Sequence, residues 1–311
     1  MNQSTVSRVL SGSPHVKQAT ARKVWRACRK LNYVPNVSAR SLRTKQARAI
    51  AVHLPLGWEL ALADPFVSMF LAGVHEQAAR RKYSVVLNGE PAETAANELV
   101  EVVKSHRADG VILTSVRRDD PRVEAFVREG VPCVLGRHTG PSGPTMVCVD
   151  IDNRLTGRRA VRFLHRAAHR IIGLVSEADE WTPGEEFRRG LERQAEALGV
   201  SVTVRKAPPT FQAARAAAGE ILAERPDATA LIATTALTVF GVIEAVRAAG
   251  RNVTVLGVDS PLLRSLHPRL PRIVAPVEEM GRAMVDALID LIETGTPAEP
   301  NYLQTELKEH A

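Results

Sequence analysis

Apolar side chains recur along this chain with two distinct periods. From Ser4 to Gly12 the run STVSRVLSG sets Val6, Val9 and Leu10 at i, i+3 and i+4, with Ser7, Arg8 and Ser11 facing elsewhere, which predicts a short amphipathic helix closed by Gly12. After the turn SPH, residues 17–32 put Val24, Cys28 and Leu31 on one stripe and Arg22, Lys23, Arg26, Arg29 and Lys30 off it, predicting a second, basic helix. Pro35 ends that helix, and NVSARSLRT offers one more short helical stretch before strand-like AIAVHL begins near Ala49.

Beyond residue 48 short β-rich runs alternate with longer helical patterns. The runs are AIAVHL, YSVVL, GVILT, PCVLG, MVCV, IIGLVS, VSVTV, ALIAT and VTVLGVD. Helical stretches fall near 66–82, 93–106, 120–130, 153–168, 184–198, 211–225, 237–249 and 277–293. Such alternation predicts an α/β chain with parallel sheets and crossover helices. One sheet rarely needs nine strands, so two doubly wound parallel-sheet lobes are more economical, preceded by a small all-α headpiece. The cleft between the lobes is then the expected ligand site.

Charge changes the picture at one end only. The net charge is +7, yet residues 1–50 carry eleven lysines and arginines and no acidic residue, while the other 261 carry 30 basic and 34 acidic side chains. A basic block beside an acidic body suits contact with phosphate, because neutralising a nucleic-acid backbone releases counterions; a merely solvated basic arm is the alternative. With 45% hydrophobic residues the 311-residue chain can bury two or three cores, which excludes a rod or a disordered tail. No apolar run approaches the roughly 18 residues of a membrane helix, and MNQSTVSRVL has no leader-like apolar stretch, so a cytoplasmic protein is expected. Cys28, Cys133 and Cys148 match no metal spacing and read as packing residues.

The segment STVSRVLSGSPHVKQATARKVWRACRKLNYVPNVSARSLRT resembles the helix-turn-helix headpiece of the lactose-repressor (LacI/GalR) family. DNRLTGRRAVRFLHRAAHRIIGLV, VTVLGVDS and PRLPRIVAPVEEMGRAMVDALIDLI resemble its core segments, so the likeness spans essentially the whole chain. It implies a periplasmic-binding-protein-like effector core, a homodimer, and a pseudo-palindromic DNA operator whose affinity for the protein changes when a small molecule, a sugar or a less polar ligand, fills the cleft. The implied divisions are a headpiece over 1–34, a hinge helix and linker over 35–47, a first lobe of 48–169 with 277–296, and a second of 170–276 with 297–311. The first helix becomes the recognition helix, presenting Gln3, Ser4, Ser7 and Arg8 to base edges, with Thr5 on phosphate or base and Ser11 and His15 in lesser roles. Gln and Arg suit adenine and guanine edges on chemical grounds as well. Leu42 matches the leucine that the family wedges between base steps of the minor groove, flanked by Asn36, Ala39 and Arg40. The family headpiece opens with a further helix. Its absence ahead of Met1 would leave Val6 and Val9 partly uncovered, and the expectation is that Met1 is an internal valine start codon preceded by roughly 15–20 more residues.

In the cleft the resemblance implies effector contacts from Phe66, Asp152, Asn153, Trp181, Phe187, Phe211, Thr235 and Asp259. Two departures matter. EEFRRG places Phe187 where many members carry arginine, and Thr235-Ala236 replaces the usual Asn-Asp pair, removing strong polar contacts for a sugar. Rings with one carboxylate suit a less polar or cationic ligand at least as well. No cofactor or catalytic role is expected: GxGxxG after a strand, P-loop, GxSxG and HExxH patterns do not occur, and His165 and His169, though four apart, have no third metal ligand nearby in sequence. GRHTGPSGP reads as a turn cluster. The expectation is therefore a repressor, with a ligand-binding dimer of weak DNA recognition as the alternative. No leucine-heptad tail follows residue 300, which argues against a coiled-coil tetramer.

Overall fold

The computed structural model describes residues 2–10, 15–31, 46–54, 64–89, 92–114, 116–136, 143–177 and 182–309. They fall into two compact units, Met1–Ala47 and Arg48–Ala311. In the smaller unit, α1 (Gln3–Leu10) packs on α2 (Gln18–Lys30) through Val9, Val24 and Cys28, with Val6, Val16 and Ala21 at the margin. Val9 is buried, contrary to the expectation that it would be partly uncovered, because α2 covers it. Leu31 departs from its expected stripe and stays 76% exposed, since α2 ends at Lys30 and Leu31 turns off the helix as its C-cap. Gly12 and the expected hinge helix lie outside the described residues.

The larger unit contains two six-stranded sheets. The first runs in the order β2 (Ser84–Asn88), β1 (Ala49–His53), β3 (Val111–Leu113), β4 (Cys133–Leu135), β5 (Met146–Ile151), β11 (Asn301–Leu303), and every pair is parallel. The second runs β7 (Ser201–Lys206), β6 (Ile171–Ser176), β8 (Ala230–Ala233), β9 (Thr254–Val258), β10 (Arg272–Val274), β12 (Glu306–Lys308), with only β12 antiparallel. Around the first sheet, α3 (Pro65–Arg80) and α11 (Val277–Thr294) share one apolar core with its strands, while α4 (Ala92–Lys104) and α5 (Pro121–Glu129) share another. Around the second, α6 (Asn153–Arg166) and α7 (Thr182–Leu198) form one core, and α8 (Phe211–Glu224), α9 (Ala236–Ala248) and α10 (Pro261–Leu266) the other. Continuous buried runs such as AIAVH and ALIA form these strands because both faces of a parallel sheet are covered. Helices α3, α5 and α10 each open on a capping side chain followed by proline: Asp64–Pro65, Asp120–Pro121 and Ser260–Pro261.

Two lobe assignments differ from expectation. Helix α6 packs in the second lobe, because the chain crosses at Asp152, directly after β5, and not near residue 169. Strand β11 pairs with β5 in the first sheet, so the tail after 296 is divided between the lobes. The chain thus crosses three times: at Asp152, between β10 and α11, and at Gln304–Thr305 between β11 and β12.

At the end of β1, His53 is fully buried, with its Nδ1 2.7 Å from Oδ1 of Asn88. Burial, and then the charge of Arg122, push its pKa down from 6.5 to about 4. The folded value lies below the unfolded one, so the unfolded chain takes up the proton first, and stability is lost as pH falls from 6.5 toward 4. Between pH 7 and 5 this group alone is expected to remove about 2 kcal/mol. The urea midpoint should fall accordingly, and the His53→Gln variant should lose that part of the slope.

Candidate functional site

The smaller unit presents a basic surface. Arg8 on α1 and Arg22, Lys23, Arg26, Arg29 and Lys30 on α2 are all exposed, as is His15 between the helices. The periodicity that buries Val9 on α1 and Val24 and Cys28 on α2 leaves Arg8 and the basic positions of α2 exposed. Gln3, Ser4, Thr5 and Ser7 lie on α1 with Arg8, and Thr5 is half-buried. Ser11, Asn36, Ala39, Arg40 and Leu42 lie outside the described residues.

In the larger unit, the carboxyl ends of strands from both sheets converge on a cavity of about 230 Å³. Doubly wound sheets bind ligands at this edge, where the loops following the strands meet. The first lobe contributes Asp64, Phe66, Met69, Thr114 and Asp150, and the second Glu177, Phe187, Thr234, Thr235 and Asp259. The volume lies below the roughly 300–1,000 Å³ of drug-sized clefts, which suits a ligand of about one ring. Across the cleft the Arg118 guanidinium pairs with the carboxylate of Glu185, and the Thr182 N–H donates to the Val116 carbonyl at 3.3 Å.

Five of the expected effector residues line this cavity: Phe66, Asn153, Phe187, Thr235 and Asp259. Their freedom to bind differs. Phe66 stacks on Phe70 with ring centroids 6.2 Å apart, and the Asn153 side chain donates to the Ile151 carbonyl at 3.1 Å. Thr235 caps α9 in a reciprocal box with Thr238. Asp259, expected to be an available carboxylate, is neutralised from behind by Arg264 and by Arg272, the latter at 3.2 Å. Two other expected residues lie outside this lining. Asp152 does not line the cavity, because its carboxylate caps α6 and accepts from Leu155 N–H at 2.9 Å. Phe211 starts α8 with 41% of its surface exposed, away from the cavity lining. Trp181 lies outside the described residues.

The acidic residues that sequence reasoning missed are Asp64, Asp150 and Glu177. Each follows or precedes an element in the way any capping or post-strand polar residue does, so only the position directly beyond a strand end could have singled out Glu177 after IIGLVS. Burial, and then the nearby charge of Asp64, raise the Glu177 pKa to about 7. Burial also raises Asp64, against the lowering effect of the Phe66 N–H it accepts at 2.9 Å. Among the described residues no lysine, arginine or histidine lines the cavity.

Comparison with known proteins agrees over the whole chain. Residues 60–307 match the family described as periplasmic binding proteins and sugar binding domain of LacI family, and residues 2–36 match the bacterial regulatory proteins, lacI family. The HTH-type transcriptional regulator CelR of Thermobifida fusca is 32% identical over 98% of this chain and 92% of its own. The repressor CytR of Escherichia coli strain K12 is 26% identical over 94% of this chain and 87% of its own. A CelR–cellobiose complex superposes with a TM-score of 0.77 at 30% identity, covering 100% of this chain and 96% of that one. The lac repressor dimer bound to operator and the anti-inducer ONPF reaches a TM-score of 0.85 at 21% identity, covering 99% and 94%, which speaks to the fold. A basic helix pair joined to a two-lobed core with a ligand-sized cleft, matched end to end in this way, makes the chain a member of the LacI family of DNA-binding transcriptional regulators.

Proposed function

We propose that the protein is a repressor that grips a pseudo-palindromic operator as a homodimer in the cytoplasm, acts by binding and not by catalysis, and changes its DNA affinity when a small molecule fills the inter-lobe cavity. The observation that carries this reading is the headpiece surface: six exposed lysines and arginines on two packed helices, in a segment with no acidic residue. Gln3, Ser4, Ser7 and Arg8 would read base edges and Leu42 would wedge the minor groove. The effector works only through differential affinity: if it prefers the state in which the paired hinges are apart it induces, and if it prefers the DNA-competent state it corepresses.

The test is fluorescence anisotropy on DNA selected from a random pool. Specific binding should weaken steeply with salt, and Arg8→Ala should cost about 1–3 kcal/mol, roughly 5- to 150-fold in Kd, mainly for the selected sequence. Sequence-indifferent binding would favour the ligand-binding dimer instead.

The dimer has a candidate face. Edge strand β2 exposes Val86 and Leu87, and α10 exposes Leu262 and Leu266 at 51% and 59%. Large apolar side chains exposed on an edge strand and on a short helix suit burial against a second copy. The Leu262→Asp, Leu266→Asp double variant should shift sedimentation toward the monomer at micromolar concentration; an unchanged dimer would remove α10 from the interface.

A further inference from the structure

The effector cavity has an uneven electrostatic make-up. Four carboxylates line it, from Asp64, Asp150, Glu177 and Asp259, and no cationic side chain among the described residues does. Two of the four are already accommodated: Asp259 by Arg264 and Arg272, and Asp150 by the Ile151 N–H it accepts at 2.8 Å. Asp64 spends one oxygen on the cap of α3. Glu177 has neither a hydrogen bond nor an ion pair among the described residues, is half-buried and lines the cavity. Its other side is closed by the first turn of α7, so tightly that a Cβ on Gly184 would lie 3.3 Å from Oε2. An ionised carboxylate held this way, in a cavity it shares with a second one, is unfavourable until something neutralises the pair. The two also come from different lobes, Asp64 at the start of α3 and Glu177 at the end of β6.

We propose that Asp64 and Glu177 form a cation subsite that bridges the two lobes, so that the effector is a ring-sized molecule carrying a protonated amine, held between these carboxylates with its body against Phe66, Met69 and Phe187. This rests on the reading of the cavity as the effector site and narrows the ligand class within it. The apolar wall gives the body of such a ligand a surface to bury, and its ammonium donates to both carboxylates at once. Without the ligand, the Asp64–Glu177 pair opposes approach of the lobes unless a proton neutralises it. With the ligand, the same charges hold the lobes together, which supplies the differential interaction that a conformational response requires. The shifted titration of Glu177 agrees with this geometry: a free site holds a proton near neutrality that a bound ammonium would displace to solvent.

The experiment is calorimetric titration of the full-length protein with matched pairs differing by one amine: D-glucosamine and D-glucose, D-galactosamine and D-galactose, D-glucamine and D-sorbitol. In at least one pair the amine should bind about tenfold or more tightly than its neutral twin, and Glu177→Gln should bring that pair within about twofold. Thermal melts would verify that the variant is folded, and Asp64→Asn should weaken the same preference as an independent check. Neutral members binding as well as the amines, or an amine preference that survives both substitutions, would overturn the cation subsite while leaving the cavity as the effector site. If none of the six binds or shifts the melting temperature, both the subsite and the effector reading beneath it fall.

Discussion

Gly190→Ala is expected to destabilise the effector core by about 3 kcal/mol or more, read as a lower urea midpoint with little change in slope. A Cβ at residue 190 would stand 2.0 Å from the carbonyl oxygen of Arg154 and 2.8 Å from its carbon. Those are backbone atoms of the neighbouring helix, so no rotamer change relieves them. The contact is reciprocal: a Cβ on Gly157 of α6 would lie 2.1 Å from the Phe187 carbonyl of α7. The two helices therefore touch through their backbones at both crossing points and must part to admit a methyl group. Function should suffer along with stability, because α6 brings Asn153 and Thr156 to the cavity and α7 brings Pro183 and Phe187. Gly219→Ala in α8 is the control. Nothing lies within 4 Å of a Cβ there, so alanine should stabilise by about 0.5–1 kcal/mol through helix propensity. If both variants lost stability equally, close helix contact would not be the cause.

Arg122→Leu should cost a similar or larger amount, about 3–5 kcal/mol, for an electrostatic reason. Arg122 and Asp120 are both fully buried, with Nε donating to Oδ1 at 2.8 Å and the guanidinium also reaching Oδ2 at 2.5 Å. Asp120 meanwhile caps α5 through the Arg122 N–H at 3.0 Å and accepts from Arg117 N–H at 3.1 Å. Burial alone would raise its pKa, but the arginine and these N–H donors outweigh that and hold the carboxyl below its usual range. A folded value below the unfolded one gives stability that is present above pH 4 and lost as pH falls through the folded value. Removing the guanidinium leaves an uncompensated buried carboxylate, and the sign reverses: acid should then relieve the variant. Asp120→Asn combined with Arg122→Leu should recover much of the loss. A single variant as stable as the parent in chemical denaturation would show that this pair contributes nothing net.

The parts of the fold legible in the sequence were those that bury continuous apolar runs. AIAVHL, GVILT, PCVLG and IIGLVS each become a strand covered on both faces, and the alternating helices fall close to their expected positions. Strands β10, β11 and β12 escaped notice because three residues such as RIV, NYL or ELK carry no periodicity, and β11 and β12 are largely exposed. The six-residue α10 is too short for a helical repeat. The paired glycines of α6 and α7 were invisible for another reason: glycine in a helical pattern reads as a weakness until the neighbouring helix is in place. Of the cavity, Phe66 and Phe187 could be found through likeness to other cores. Asp64 and Glu177 could not, since a capping aspartate and a glutamate after a strand are common, and what distinguishes these two is that the fold brings opposite lobes together around them.

The three crossings between the lobes have a mechanical consequence. A body hung on a single thread can swing and twist in any direction, and each further thread removes a way of twisting while leaving a bend. Here the last thread is only two residues long, Gln304 and Thr305, and it is tied down by hydrogen bonds from Arg159 to the Thr305 carbonyl at 2.7 Å and between the Thr156 and Thr305 hydroxyls at 2.9 Å. Lobe motion in this protein is thereby confined to a narrow set of rotations.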